Sequence, residues 1–323
     1  QRAGDGLASR IARWDGTTWS PLGSGLGTLN TTIVRALAVL PDGDLVAAGR
    51  FTTAGGKAAA NIARWNGSEW FPLGAGLGSG VFDVSALLVT PAGELIAGGN
   101  FTSSGSSPVP GVARWNGEAW LPYGAGVTGN LYALGLLPDG ALIAAGDGIR
   151  AADDLTQRNV LRWDGTRWLG LSAAVPAGPV TWALAVLSDG TLVSGQSSVN
   201  IWNGVAWQPL GGGTAGFVHS FTRLPDGGLV MGGEFLGVGL LDDALRRHAA
   251  HLARWDGAAW QTYGTGFGGR QRTYVYDFVT LPGGDVIAGG AFDAAGDVEA
   301  GNVGRGEGAA GAAPLRLPPR PAG

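Results

Sequence analysis

A step of tryptophan preceded by arginine or isoleucine recurs at Trp14, Trp65, Trp115, Trp163, Trp202 and Trp255, at spacings of 51, 50, 48, 39 and 53 residues. Each is followed five residues later by a second tryptophan across an Asp-Gly or Asn-Gly pair, as in ARWNGSEWFPLG at 63–74. A second landmark runs in phase with it: LPDGDLVAAG (40–49), TPAGELIAGG (90–99), LPDGALIAAG (137–146), LSDGTLVSGQ (187–196), LPDGGLVMGG (224–233) and LPGGDVIAGG (281–290). The chain is therefore six copies of one unit. In such an array each unit must bury its apolar face against a neighbour.

Each unit reads as four short strands. VSALLVT (84–90) is an apolar run of strand length, PAG turns the chain, and ELIAGGNF returns. GVARWNG and EAWLPYG then form a second hairpin around Asn-Gly, a pair whose residues tolerate the positive φ of a tight turn. The first two strands are continuously apolar, so both of their faces are covered. Four-stranded blades stacked radially meet that demand.

The order Gly98-Gly99, Trp115-Asn116, Trp120 resembles the repeat of kelch-type β-propellers, such as the central domain of galactose oxidase, and the likeness spans residues 10 to 303. It implies an all-β, six-bladed β-propeller of four-stranded antiparallel blades. Tryptophan stands where kelch repeats usually carry tyrosine, and the resemblance assigns no ligand. The N-terminal segment is only the second half of a unit and 275–292 only the first half, so the last blade is expected to be closed by strands from both chain ends. Residues 1–303 then form one propeller and 304–323 a Gly/Ala/Pro-rich tail or linker. AGDVEAGNVGRGEG (295–308) tracks the repeat but has Gly306 where tryptophan belongs, and reads as a degenerate surplus strand.

Composition narrows the function. A net charge of −4 and a single lysine, Lys57, argue against nucleic acid. Without cysteine, and with only three histidines, thiol chemistry and Cys-based metal sites are excluded; no metal site and no cofactor are expected. No apolar run is long enough to insert in a membrane. A start at Gln1 suggests a processed secreted protein or a piece of a larger chain, and an extracellular or cell-envelope location.

The twelve paired tryptophans could stack on sugars, one site per blade. Their recurrence at one offset from a tight turn fits packing better, with each ring between blades and its N–H on a nearby carbonyl. D-G-x-x-W is also similar to the Asp-box turn of sialidase-like propellers, but lacks its serine and spacer and reads as shared turn chemistry.

Variation lies elsewhere. Along the innermost strands Leu37, Leu87, Leu134, Leu184, Phe221 and Phe278 form a uniform apolar ring, read as core. Two residues earlier stand Arg35, Ser85, Tyr132, Trp182, His219 and Tyr276, a chemically mixed ring expected near the central mouth on the loop-rich face. Trp182 is the one tryptophan outside the pairs, and Asp277 adds a carboxylate. The candidate ligand-binding residues are Arg35, Tyr132, Trp182, His219, Tyr276 and Asp277; no catalytic residue is assigned. On the same face, the loop after Phe235 is expected to form a short helix carrying Leu241, Leu245 and His248.

The expected function is a non-catalytic binding or scaffold propeller that recognises a glycan or protein. The alternative is a hydrolase or lyase acting on a carbohydrate at the mouth, with Asp277 or His219 as acid or base and Arg35 holding an anion. The copper chemistry of galactose oxidase needs a cysteine-linked tyrosine, which this chain cannot make. A sialidase would need three convergent arginines, and only Arg35 occupies the ring.

Overall fold

In the computed structural model the described residues are 2–3, 6–7, 9–14, 19–27, 31–78, 83–156, 158–171, 180–239, 247–263, 266–268, 273–280, 285–295, 298–299 and 303–306. They fall into two compact units that part between Ala173 and Ala174. Strands carry nearly all the regular structure, and the one helical turn described is the 3-10 segment Leu210–Gly212. No helix among these residues is long and apolar enough to cross a membrane.

After a short antiparallel pair at Arg2–Ala3 and Gly6–Leu7, the first unit has a hairpin, β1 (Ala12–Trp14) and β2 (Trp19–Pro21). Three four-stranded antiparallel sheets follow. The first joins β3 (Ile33–Val39), β4 (Leu45–Arg50), β5 (Ile62–Trp65) and β6 (Trp70–Pro72); the second joins β7 (Val84–Val89), β8 (Leu95–Gly99), β9 (Val112–Trp115) and β10 (Trp120–Pro122). The third is β11 (Val127–Leu136), β12 (Leu142–Ala151), β13 (Arg158–Trp163) and β14 (Trp168–Gly170). Each sheet is one repeat, with strands in sequence order. This is the all-β, four-stranded blade of a β-propeller.

The second unit repeats the pattern. One blade is β15 (Ala183–Val186), β16 (Leu192–Gly195), β17 (Val199–Trp202) and β18 (Trp207–Pro209). The next is β19 (Thr214–Arg223), β20 (Leu229–Val238), β22 (Leu252–Trp255) and β23 (Trp260–Thr262), with the short β21 (Arg247–His248) also on β20. His248 is therefore in a strand, opposite Gly237, and not on a helix. Leu241 and Leu245 lie outside the described residues.

The last sheet is β24 (Tyr274–Thr280), β25 (Val286–Ala291) and β26 (Val303–Gly306). Here the structure corrects the expectation of closure by both chain ends. The seat beside β25, expected for the N-terminal hairpin, is filled by β26, with Val286 opposite Gly306 and Gly289 opposite Val303. A ladder needs only backbone N–H and C=O groups, so the missing tryptophan does not disqualify the strand. The pairing also runs three residues past the boundary expected at 303.

Apolar cores lie between successive sheets. Val46, Ala48 and Ile62 pack with Val84, Leu95 and Ala113, while Ile96 and Val112 pack with Leu131, Leu142 and Ala144. In the second unit Val193 and Val199 pack with Val218, Leu229 and Met231, and Val230 and Leu252 with Val275, Val286 and Ala288.

The tryptophan pairs lock these junctions. In four pairs the second ring is buried and its Nε1–H donates to the carbonyl that precedes the glycine closing the upstream hairpin: Trp70 to Leu22 at 2.9 Å, Trp120 to Leu73 at 3.1 Å, Trp168 to Tyr123 at 3.1 Å and Trp260 to Leu210 at 2.9 Å. The first ring lies on that glycine. A Cβ on Gly124 would come 2.5 Å from Trp163, and one on Gly211 2.3 Å from Trp255; both glycines hold φ near the left-handed value, +59° and +55°. Only glycine satisfies both conditions. These rings are fasteners, as their periodicity implied.

Candidate functional site

The mixed ring has a common structural origin. In β3, β7, β11, β19 and β24 the register slips by one between Val34 and Ala36, Val84 and Ala86, Leu131 and Ala133, Val218 and Ser220, and Val275 and Asp277. The residue skipped each time is Arg35, Ser85, Tyr132, His219 or Tyr276. A bulge frees one residue from the ladder and re-aims its side chain. The glycine across the sheet makes room for it: a Cβ on Gly146 would lie 2.0 Å from the Asn130 carbonyl, and one on Gly290 2.0 Å from that of Tyr274. The glycine that ends each of these second-strand motifs, Gly49, Gly99, Gly146, Gly233 or Gly290, therefore accompanies the bulge, and the bulge presents the mixed residues. Trp182 precedes β15 and has no bulge of its own; its backbone N–H donates to the Gly195 carbonyl.

In the second unit three candidates meet. The rings of Trp182 and His219 pack edge-on at 5.6 Å between centroids, and His219 lies 6.1 Å from Tyr276. Two residues that sequence reasoning passed over extend the row. Phe217 stacks on His219 at 6.3 Å, and Tyr274 stacks on Tyr276 at 5.7 Å with the ring planes only 6° apart. Phe217 is 45% and Tyr276 56% exposed, high for such large apolar rings. Burial lowers the pKa of His219, against the pull of the nearby Glu234 carboxylate, so the imidazole is neutral at pH 7 and stacks as an aromatic ring.

Asp277 neighbours Tyr276 but does not join it. Its Oδ1 accepts from the Ser220 hydroxyl at 2.9 Å and from the Phe278 N–H at 2.8 Å. The residue keeps solvent-accessible surface, yet the protein around the carboxyl raises its pKa, outweighing those two bonds. No hydrogen bond among the described residues links His219, Tyr276 and Asp277 to one another.

In the first unit the candidates have a different character. Arg35 Nε donates to Asp83 Oδ2 at 2.8 Å. Tyr132 is half-buried, and burial, followed by the charge of Asp147, raises its pKa while Arg35 opposes. Asp83 was not anticipated. It and Phe217 and Tyr274 each stand two residues before a ring position, where alternation places them on the same face, and that spacing was the available signal. The apolar ring is less buried than expected: Leu37 is 54% exposed, and the other five positions are half-buried. Among the described residues, no group of three or more His, Asp and Glu gathers to hold a metal ion.

No protein-family model and no curated protein sequence matches the chain. Solved structures do share the fold. The extracellular domain of BT4673 from B. thetaiotaomicron aligns with TM-score 0.57 at 9% identity, over 88% of this chain and 35% of that one. Virginiamycin B lyase from Staphylococcus aureus aligns with TM-score 0.55 at 12% identity, over 87% and 83%. The chain thus spans about a third of the length of that extracellular domain. Identities this low carry the fold alone.

Proposed function

We propose that this chain is an extracellular binding module, and that the aromatic row of the second unit receives a glycan. The observation that carries this reading is the unbroken contact from Trp182 through His219 to Tyr276 and Tyr274, with Phe217 and Tyr276 open to solvent. Exposed rings in a contiguous row are costly to leave in water and are a common mark of an interaction surface. Sugar rings present C–H faces that pack on aromatic faces, and the tyrosine hydroxyls and the neutral imidazole supply hydrogen bonds at the edges.

A protein ligand would use the same rings, so the test must separate the two. On a glycan array and a cell-surface protein array, the wild-type chain is expected to give glycan hits that Tyr276→Ala, Phe217→Ala and Trp182→Ala lose. Hits confined to the protein array would replace the glycan with a protein, and glycan hits unchanged in all three variants would remove the aromatic row from the site. The carbohydrate hydrolase or lyase alternative gains no support, because the Asp277 carboxylate is engaged by Ser220 and Phe278 and not by His219 or Tyr276. The fold does not decide, since a lyase and the extracellular domain of BT4673 both share it.

A further inference from the structure

We propose that Arg35 and Arg50, braced on Asp83, form a receptor for an oxyanion group, carboxylate or sulfate, carried by a ligand. This rests on residues of the first unit alone and is independent of the aromatic row.

Three elements build the site. Arg35 is the bulged residue of β3, Arg50 ends β4, and Asp83 immediately precedes β7. Asp83 is fixed first: its N–H donates to Asn100 Oδ1 at 2.7 Å, and its side chain is only 12% exposed. Asn100 in turn reaches Asn130 Oδ1 at 3.5 Å. The carboxylate then holds two guanidinium groups, Arg35 Nε at 2.8 Å on Oδ2 and Arg50 Nε at 3.7 Å on Oδ1. Arg50 Nε also donates to the Thr31 carbonyl at 3.2 Å.

Both arginines are thus held through Nε. Their terminal nitrogens have no hydrogen-bond partner among the described residues, and the side chains stay 40% and 32% exposed. Two guanidinium charges share the single carboxylate of Asp83. Elsewhere the repeat arginines are used differently: Arg64, Arg162 and Arg254 each spend a terminal nitrogen on the aspartate of a PDG turn, at 2.7, 2.6 and 2.5 Å. Arginines with anchored Nε and open Nη groups are preorganised for a planar or tetrahedral oxyanion, because the fork geometry matches its oxygens and little rotamer freedom remains to be lost.

The test is titration of the whole chain with sodium glucuronate and, separately, sodium sulfate at constant ionic strength, read by calorimetry. Saturable binding of at least one probe is expected, and the one bound more tightly identifies the group. Arg35→Gln and Arg50→Gln should each weaken it about tenfold. Lys57→Gln, which removes an exposed charge at another place, should leave it unchanged. Near-ultraviolet circular dichroism checks that each variant is folded. Arg35→Lys, which keeps the charge and the brace on Asp83, covers the case in which Arg35→Gln does not fold, and should still weaken binding because the fork is gone. No saturable binding of either probe overturns the proposal, as does equal loss in Lys57→Gln or undiminished binding by Arg35→Lys and Arg50→Gln.

Discussion

The tryptophan hairpins and the first strands of the repeats follow opposite rules. In the hairpins four repeats do the same thing: the indoles of Trp70, Trp120, Trp168 and Trp260 bond to the upstream Leu or Tyr carbonyl, and the partner ring covers the upstream glycine. The repeat of Trp207 departs from this, with Ser172 in the glycine's place in the sequence and no partner for its indole N–H among the described residues. In the first strands the bulge geometry is shared five times, yet the residue it presents changes from Arg35 to Ser85, Tyr132, His219 and Tyr276. A surface that must meet the next copy of itself is held to one solution. A surface that meets something else is free to differ, and here it is an ion-paired cluster in one unit and an aromatic row in the other.

The sharpest break of that comparison would be at a junction glycine. Gly211→Val is expected to cost about 3 kcal/mol or more, because a left-handed backbone and a displaced Trp255 ring add their strain. Urea unfolding gives the value, and a loss below about 1 kcal/mol would mean that the junction is not tightly specified. Trp120→Phe should cost about 2 kcal/mol, from lost packing and from the Leu73 carbonyl left unbonded.

The smallest effect separates repeats that look identical. Asp164 and Asp256 each cap their turn through two backbone N–H bonds, which lower the carboxyl pKa from its ordinary 3.8 to about 2. Asn66, Asn116 and Asn203 make the same turn without a titrating group. Because the folded pKa lies below the unfolded one, the stabilisation is full above about pH 4 and fades as pH falls towards 2. The Asp164→Asn, Asp256→Asn double variant should therefore show a flatter stability profile between those values in acid titration followed by tryptophan fluorescence. An unchanged slope would show that the turns do not contribute.

The blades were legible in the sequence because the same hydrogen bonds are specified many times over, so noise in one copy is corrected by the rest. Where a feature occurs once, that redundancy is gone. Strand β26 was discounted for lacking a tryptophan, although backbone pairing does not ask for one. The mixed residues stand on the first strand of each repeat, but the brace of Arg35, Asp83, comes from a preceding loop position, and its partner Arg50 from the next strand. Neither belongs to the repeat consensus. The Phe217 and Tyr274 extensions were readable from alternation alone.

The uniform junctions also give the molecule an optical signature. Five described indole pairs share nearly one geometry, with centroids 5.3–5.5 Å apart and planes tilted by 52–58°. Transition dipoles held so close couple, and copies with the same handedness reinforce one another in circular dichroism. Trp182, outside every pair, stays spectrally apart from that chorus, so the chain carries one reporter for the integrity of its blades and another for the surface where the repeats stop agreeing.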